Sequence, residues 1–236
     1  MKRGFVVSDL HLFSRRSSYE RHREAVEAAA ACCDLFVLNG DVFEFRWSAL
    51  PSLADTSREA LRWLQGLCSR HPRCRFHYVL GNHDCATVFL DGLAPLADRI
   101  GNLEVHPWHV RFQDKLFLHG DTIVAGPTPR AVELFRERFR SDRPRGRLEH
   151  AFHDLVTLCR AHMVVYVLYP RGRSCRRVAA YVRGLPAETS AGVRHVYFGH
   201  THVPLSGYAL DGLTFHNSGA ALKQLRLNLA EFRLDA

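Results

Sequence analysis

Five short apolar runs in this chain each break into a polar turn, and those turns hold most of its chemically capable side chains. Phe5-Val6-Val7 leads into Ser8-Asp9-Leu10-His11, Leu35 to Leu38 into Asn39-Gly40-Asp41, and Phe76 to Leu80 into Gly81-Asn82-His83-Asp84. Further on, the run ending at Leu118 opens into His119-Gly120-Asp121, and His195 to Phe198 into Gly199-His200-Thr201-His202. Runs this short, mostly apolar and rich in Val, Leu and Phe, predict strands buried on both faces, as in a parallel sheet. Between the first three lie two segments of helical pattern. One is Ser17 to Cys33, with Glu20, Arg23, Glu24, Glu27, an alanine run and Ser17 or Ser18 as cap; the other is Leu53 to Ser69. Strand, helix, strand implies parallel pairing through right-handed crossovers.

The middle of the chain reads differently. A short helix is expected around Thr87 to Leu93, then a hairpin from Val105 to Leu118 turning at Gln113-Asp114-Lys115. Ala131 to Arg140, Leu148 to Tyr169 and Ser174 to Arg183 have helical character, and Pro204 onward alternates as antiparallel strands around an Asp211-Gly212 turn. The expected architecture is α/β: one four-layer αββα sandwich built from 1–121 and 186–236, with a helical insertion or lid at 122–185.

Charge sharpens this division. The net charge of +8 falls in one segment: Thr122 to Leu185 holds thirteen Arg and no Lys against five acidic residues, so the remainder is neutral. Such a segment is either a solvated helical face or a site for phosphorylated or membrane-surface partners, because guanidinium pairs with phosphate in a bidentate fork. Met163 to Tyr169 places seven apolar residues in a row beside these arginines. It reads as a helix buried on all sides or as a greasy wall for an acyl chain or membrane interface, far short of the roughly 20 residues that span a bilayer. The segment lacks the aromatic interleaving of a nucleic-acid binder, so nucleic acid is not the expected partner. Seven cysteines without a C-x-x-C pair, and no leader pattern before Phe5, lead to the expectation of a reduced, cytoplasmic protein, at most peripheral to the inner membrane. Cys85 follows the third turn but is expected as a core residue rather than a nucleophile.

The strand-end side chains form a set: Asp9, His11, Asp41, Asn82, His119, His200 and His202. Asp9 and His11, and again His200 and His202, are two residues apart, which in extended chain puts each pair on one face. Carboxylate, amide and imidazole without thiolate suit Mn²⁺, with Fe or Zn²⁺ as alternatives, and the donors suffice for two ions if one carboxylate bridges. Paired ions are a device for phosphoryl transfer.

Taken together, Asp9-Leu10-His11, Gly40-Asp41, Gly81-Asn82-His83-Asp84, His119-Gly120 and Gly199-His200-Thr201-His202 resemble the calcineurin-like metallophosphoesterases. The resemblance implies one divalent ion on Asp9, His11, Asp41 and His202, and a second on Asp41, Asn82, His119 and His200. It implies that His83 contacts the phosphate and protonates the leaving oxygen, with Glu44 orienting it. Asn82, His83 and Arg130 become the expected substrate contacts. Within the family, S-D-L-H-L, G-D-V-F-E, H-G-D-T and G-H-T-H-V-P are most similar to the UDP-2,3-diacylglucosamine hydrolases of lipid A synthesis, which carry a helical lid where this chain places its Arg-rich segment. Two positions depart: His83 stands where many of those enzymes have Arg, and Val124-Ala125-Gly126-Pro127 replaces an acidic pair. The implied activity is a two-metal phosphoesterase or pyrophosphatase on a phosphorylated small molecule or lipid-linked substrate. Its rivals are hydrolysis of a phosphoprotein, cyclic nucleotide or nucleic acid, or a scaffold without activity.

Overall fold

The computed structural model describes residues 1–140, 146, 149 and 169–235. Among the described residues two five-stranded sheets face each other. The first has the order β10-β1-β2-β3-β4, with β1 (Lys2–Val7), β2 (Leu35–Asn39), β3 (Arg75–Val79) and β4 (Leu103–His106) parallel and β10 (Ala230–Leu234) antiparallel at one edge. The second has the order β5-β6-β7-β9-β8. Here β6 (Lys115–Leu118), β7 (His195–Tyr197) and β9 (Leu213–Asn217) are parallel, and β5 (His109–Phe112) and β8 (Leu205–Leu210) antiparallel.

Strand alternation distributes the apolar residues over three layers. Val6, Val37, Val79, Phe117, Tyr197 and Phe232 fill the space between the sheets. Their neighbours Phe36, Leu38, Phe76 and Tyr78 turn outward, against α1 (Arg23–Cys32), α2 (Leu53–Arg70) and α3 (Thr87–Arg99). On the far side Leu116, Leu118, Val196, Phe198 and Phe215 meet Ile123 of α4 (Thr122–Ala125), Val132 of α5 (Pro129–Arg140) and the apolar face of α6 (Arg171–Arg183), notably Val178 and Val182. A one-turn helix, α7 (Ala187–Ser190), precedes β7. The architecture is therefore the four-layer αββα sandwich expected from the sequence, and α6, within the span read as an insertion, supplies the outer layer of the second sheet.

Several elements differ from expectation for identifiable reasons. The first helix begins at Arg23, after a 3-10 turn at Tyr19–Arg21, because Ser17 is used elsewhere: its hydroxyl donates to the Leu10 carbonyl (2.8 Å) and accepts from the Tyr19 N–H (3.2 Å). α2 starts where its cap dictates, with Ser52 Oγ accepting from Asp55 N–H. α3 runs on to Arg99 through Pro95, held by Leu93 and Leu96 in the core. The expected hairpin from Val105 is split, because β4 pairs with β3 in the first sheet and only β5 and β6 form the hairpin. The expected helix over 148–169 and the apolar run from Met163 to Leu168 lie outside the described residues; Tyr169 is half-buried. No helix among the described residues is long and apolar enough to cross a membrane.

One buried ion pair ties the helices of the second sheet to the first. Arg136 of α5 donates through Nε to Asp121 Oδ2 (2.6 Å) and through Nη2 to Asp121 Oδ1 (3.2 Å) and the Leu80 carbonyl (2.8 Å). Both side chains are almost wholly buried, and the guanidinium lies 5.2 Å from the Trp108 ring centre. Arg136→Leu would strand a buried carboxylate and should destabilise the protein by about 3–5 kcal/mol, with Asp121→Asn in the same chain recovering part of the loss. Denaturant midpoints of the three proteins check this; equal stability of Arg136→Leu and the parent would contradict the pairing.

Candidate metal centre and active site

The C-terminal ends of β1, β2, β3, β6 and β7 meet at one rim of the sandwich. Asn39, the last residue of β2, fixes the approach of the sheets: its amide donates to the carbonyls of Leu118 (3.0 Å) and Tyr197 (3.2 Å). Loops then cross-link through the backbone, Asp9 N–H to Gly40 carbonyl and His11 N–H to Asp41 carbonyl, both 3.0 Å.

The chain does not leave these strands extended. Asp9, His11, Asp41, His200 and His202 all have positive φ, between 44° and 64°. Non-glycine residues seldom adopt this left-handed region, and such strain gathers where side-chain aim matters. It corrects the expectation of extended chain at these positions: Asp9 and His11 do turn to one group, but through left-handed backbone, and His200 and His202 do not. Gly40, at φ 83°, lies so close to the His119 ring that a Cβ would overlap it. Gly81 is needed for space rather than for a tight turn, since a Cβ there would overlap the Asp41 carboxylate.

Two donor groups result. In one, His202 Nε2 is 3.3 Å from Asp9 Oδ1 and 3.2 Å from His11 Nε2. In the other, His119 Nε2 is 3.2 Å from both Asp41 Oδ2 and Asn82 Oδ1, and His200 Nδ1 is 3.0 Å from Asn82 Oδ1 and 3.3 Å from His119 Nε2. His200 and His202 thus turn to different groups instead of facing together. Within Asp9/His11/His202 and within Asp41/His119/His200, the candidate ligand atoms lie within 4.8 Å of one another. Ligand bonds of 2.0–2.2 Å in tetrahedral or octahedral geometry put neighbouring donors about 2.9–3.5 Å apart, so the spacing fits divalent cations. Burial points the same way: Asp9 is fully buried and Asp41 1% exposed. Burial opposes the charge of each, but His202 keeps Asp9 ionised below its usual range and His119 and His83 hold Asp41 well below it.

Glu44 links the first donor group to His83. His11 Nδ1–H donates to its Oε2 (3.1 Å), leaving Nε2 free for a cation, and His83 Nδ1–H donates to its Oε1 (2.8 Å), which also accepts from Trp47 N–H (3.0 Å). Burial works against a charge on His83, yet Glu44 and Asp41 outweigh it and lift its pKa to about 10. The two carboxylates thus favour the charged ring, a form suited to contact a phosphate oxygen or donate a proton. Arg130, expected at the substrate, is 71% exposed and pairs with Glu133 (3.3 Å); among the described residues no contact joins it to the donor groups. Cys85 donates to the Gly81 carbonyl, and burial pushes its thiol up to about 12, which keeps it protonated at neutral pH.

Other participants escaped the sequence reading. Asp84 is a loop clamp, accepting from Phe43 N–H (2.9 Å), Val42 N–H (3.2 Å) and Gly81 N–H (3.3 Å). Three aromatic rings reach the site: Phe139 lies 5.6 Å from the His83 ring, and Phe135 and Tyr169 each 6.4 Å from His200, with the Arg46 guanidinium 5.6 Å from Phe139. Phe135 and Phe139 sit one helical turn apart in the amphipathic α5, which is the signal that could have found them.

The sequence pattern of the calcineurin-like phosphoesterases matches residues 3–204. The chain belongs to that family. Family membership and the two donor groups make this metallophosphoesterase a metal-dependent phosphoester hydrolase with places for two divalent ions. It shares its fold with a dimetal phosphatase from Danio rerio (TM-score 0.52, 12% identity, 99% of this chain and 92% of that one). A Pseudomonas putida nuclease, MPE, is also similar (TM-score 0.35, 18% identity), over 49% of this chain; the match spans about half, 53%, of the nuclease. No curated protein matches the chain.

Because Glu44 supports a candidate ligand and His83 at once, Glu44→Gln should weaken metal binding and turnover together, each by about 10–100-fold. Metal titration alongside steady-state kinetics checks this. Loss of turnover with unchanged metal affinity would confine Glu44 to His83.

Proposed function

We propose that this metallophosphoesterase hydrolyses a phosphodiester or phosphoanhydride at a dinuclear centre, Asp9, His11, Asp41 and His202 holding one ion and Asp41, Asn82, His119 and His200 the other. The observation that carries this is the convergence of two buried donor groups with Asp41 between them: its Oδ2 lies 3.2 Å from His119 Nε2, and its carbonyl accepts from the His11 N–H at 3.0 Å. Divalent ions bound there supply Lewis acidity at a phosphoryl oxygen and lower the pKa of water. Manganese is the favoured ion on the chemistry of the donors.

The chain's own groups do the rest. His83, held by Glu44, faces the phosphate as a cation and gives its proton to the leaving oxygen. Glu44 remains ionised beside His11 and His83 and stabilises the ring that donates. Phe135, Phe139 and Tyr169 shield the mouth from water and offer a planar or apolar surface to the group attached to the phosphate, and Arg46 beside Phe139 adds a cation. That surface, with the order of the motifs, supports the finer reading of a UDP-2,3-diacylglucosamine hydrolase-like enzyme of lipid A synthesis acting on a nucleotide-linked lipid at the cytoplasmic membrane surface.

His83→Ala should lower kcat by about 10²–10⁴-fold with the ions still bound, and the loss should shrink for nitrophenyl esters, whose leaving group needs no proton. An equal loss for all leaving groups would make His83 a positioning residue only. With Mn²⁺ present, UDP-2,3-diacylglucosamine should show the highest kcat/KM in a panel with cyclic dinucleotides, a phosphopeptide and bis-nitrophenyl phosphate, and Phe139→Ala should raise its KM several-fold. A higher kcat/KM for any other member of the panel would overturn the finer reading and leave the reaction class standing.

A further inference from the structure

β3 and β4 carry an imidazole–carboxylate group that the phosphoesterase site does not use. His77 and Glu104 are register partners on these parallel strands, and His106 lies opposite Val79. His77 Nδ1 is 3.1 Å from His106 Nε2 and 3.7 Å from Glu104 Oε2, and one ligand atom from each of the three lies within 4.8 Å of the others. These separations bracket the edge of about 3.3–3.4 Å expected for a tetrahedral ion with bonds of 2.0–2.1 Å to nitrogen. They also match the imidazole–imidazole approaches of 3.2 and 3.3 Å in the two donor groups at the rim. His77 precedes the end of β3 by two residues, so several residues of chain separate it from the turn that carries Asn82, on the order of 10 Å or more.

The setting favours a ligand over an ordinary pair of hydrogen-bonded rings. His77 is 4% exposed, and Phe112 packs edge-on against its ring at 4.7 Å, which fixes its aim. Burial lowers its pKa to about 4, with His106 and Arg75 pushing the same way against Glu104, so the ring is neutral and keeps a lone pair for a cation at pH 7. A hydrogen bond between the two rings gives Glu104 no role. It also leaves unexplained the next imidazole along the chain, His109 at the start of β5, whose Nδ1 is buried without a hydrogen-bond partner among the described residues.

We propose that His77, Glu104 and His106 form a third divalent-metal site, separate from the dinuclear centre and suited to Zn²⁺. Two neutral imidazoles and one carboxylate are a borderline donor set of the kind zinc takes, with a fourth position left to water or a neighbouring ring. Its place assigns it a structural role: it clips β4, the edge strand of the first sheet, to β3 just before the chain crosses through Pro107 and Trp108 to the second sheet. Binding to the folded state alone adds to stability.

The test is the zinc content of the full chain, stripped of metal and equilibrated with micromolar free Zn²⁺. The parent should hold one equivalent more than Glu104→Gln or His106→Gln, while hydrolysis of bis-nitrophenyl phosphate stays within about twofold. Glu104 is exposed, so the first variant should fold as the parent does. Added Zn²⁺ should also raise the parent's Tm by more than that of either variant. Equal zinc content in all three, a third equivalent that needs millimolar Zn²⁺, or equal zinc-induced shifts in Tm would overturn the site and leave only a hydrogen-bonded imidazole pair. Because the readout is a difference of one equivalent, it stands whether or not the dinuclear centre fills as proposed.

Discussion

The rim of this sandwich is organised by the burial of negative charge. Asp9, Asp41, Glu44, Asp84 and Asp121 are all at most 4% exposed. An ionised carboxylate taken out of water is costly unless it is paired or coordinates a cation. The fold answers each one differently. Asp121 has Arg136, Glu44 has the rings of His11 and His83, and Asp84 has three backbone N–H groups. Asp84 is also the member whose charge is least supported, since burial and the nearby Asp41 raise its pKa to about 6. Asp9 and Asp41 face imidazoles that are themselves drawn into two compact groups, an arrangement that divalent cations complete.

That requirement reaches outward into the scaffold. Five of the seven candidate ligands sit at left-handed backbone positions, which costs strain that only a well-tied rim can hold. The ties are Asn39 between the sheets, the Asp84 clamp between the second and third loops, and Arg136, which fastens α5 to both Asp121 and the Leu80 carbonyl. By fastening α5, Arg136 also sets Phe135 and Phe139 over His200 and His83. A single buried guanidinium thus links the stability of the second sheet's helices to the placing of the aromatic rings over the donor groups.

How much of this was legible depended on the range of the interaction. The strands that carry the candidate ligands were readable from their apolar runs, because each is short, buried and ended by a polar turn. The αββα layering followed from strand–helix alternation in the first half and strands in the second. The split of the expected hairpin was hidden, since nothing local in Val105 to Phe112 says that β4 pairs backward with β3 rather than forward. Backbone conformation was hidden too: D-x-H and H-x-H suggest extended alternation, and only the loop cross-links reveal that each residue turns left-handed. Arg136 stood among thirteen arginines read as a surface or phosphate-binding set, and its burial depends on Asp121, fifteen residues earlier. Asp84 was visible as part of a motif, but its work of accepting backbone N–H groups from the neighbouring loop is a tertiary fact.

The central claim is that one carboxylate, Asp41, is shared between two ions. The most direct measurement is the electron paramagnetic resonance spectrum of the Mn²⁺-loaded protein at two equivalents, compared with Asp41→Ala under the same loading. A shared Asp41 gives an exchange-coupled pair in the parent, and in the variant only the signal of isolated Mn²⁺ with less than one ion tightly held. Isolated ions in the parent, or an unchanged coupled spectrum in the variant, would contradict it.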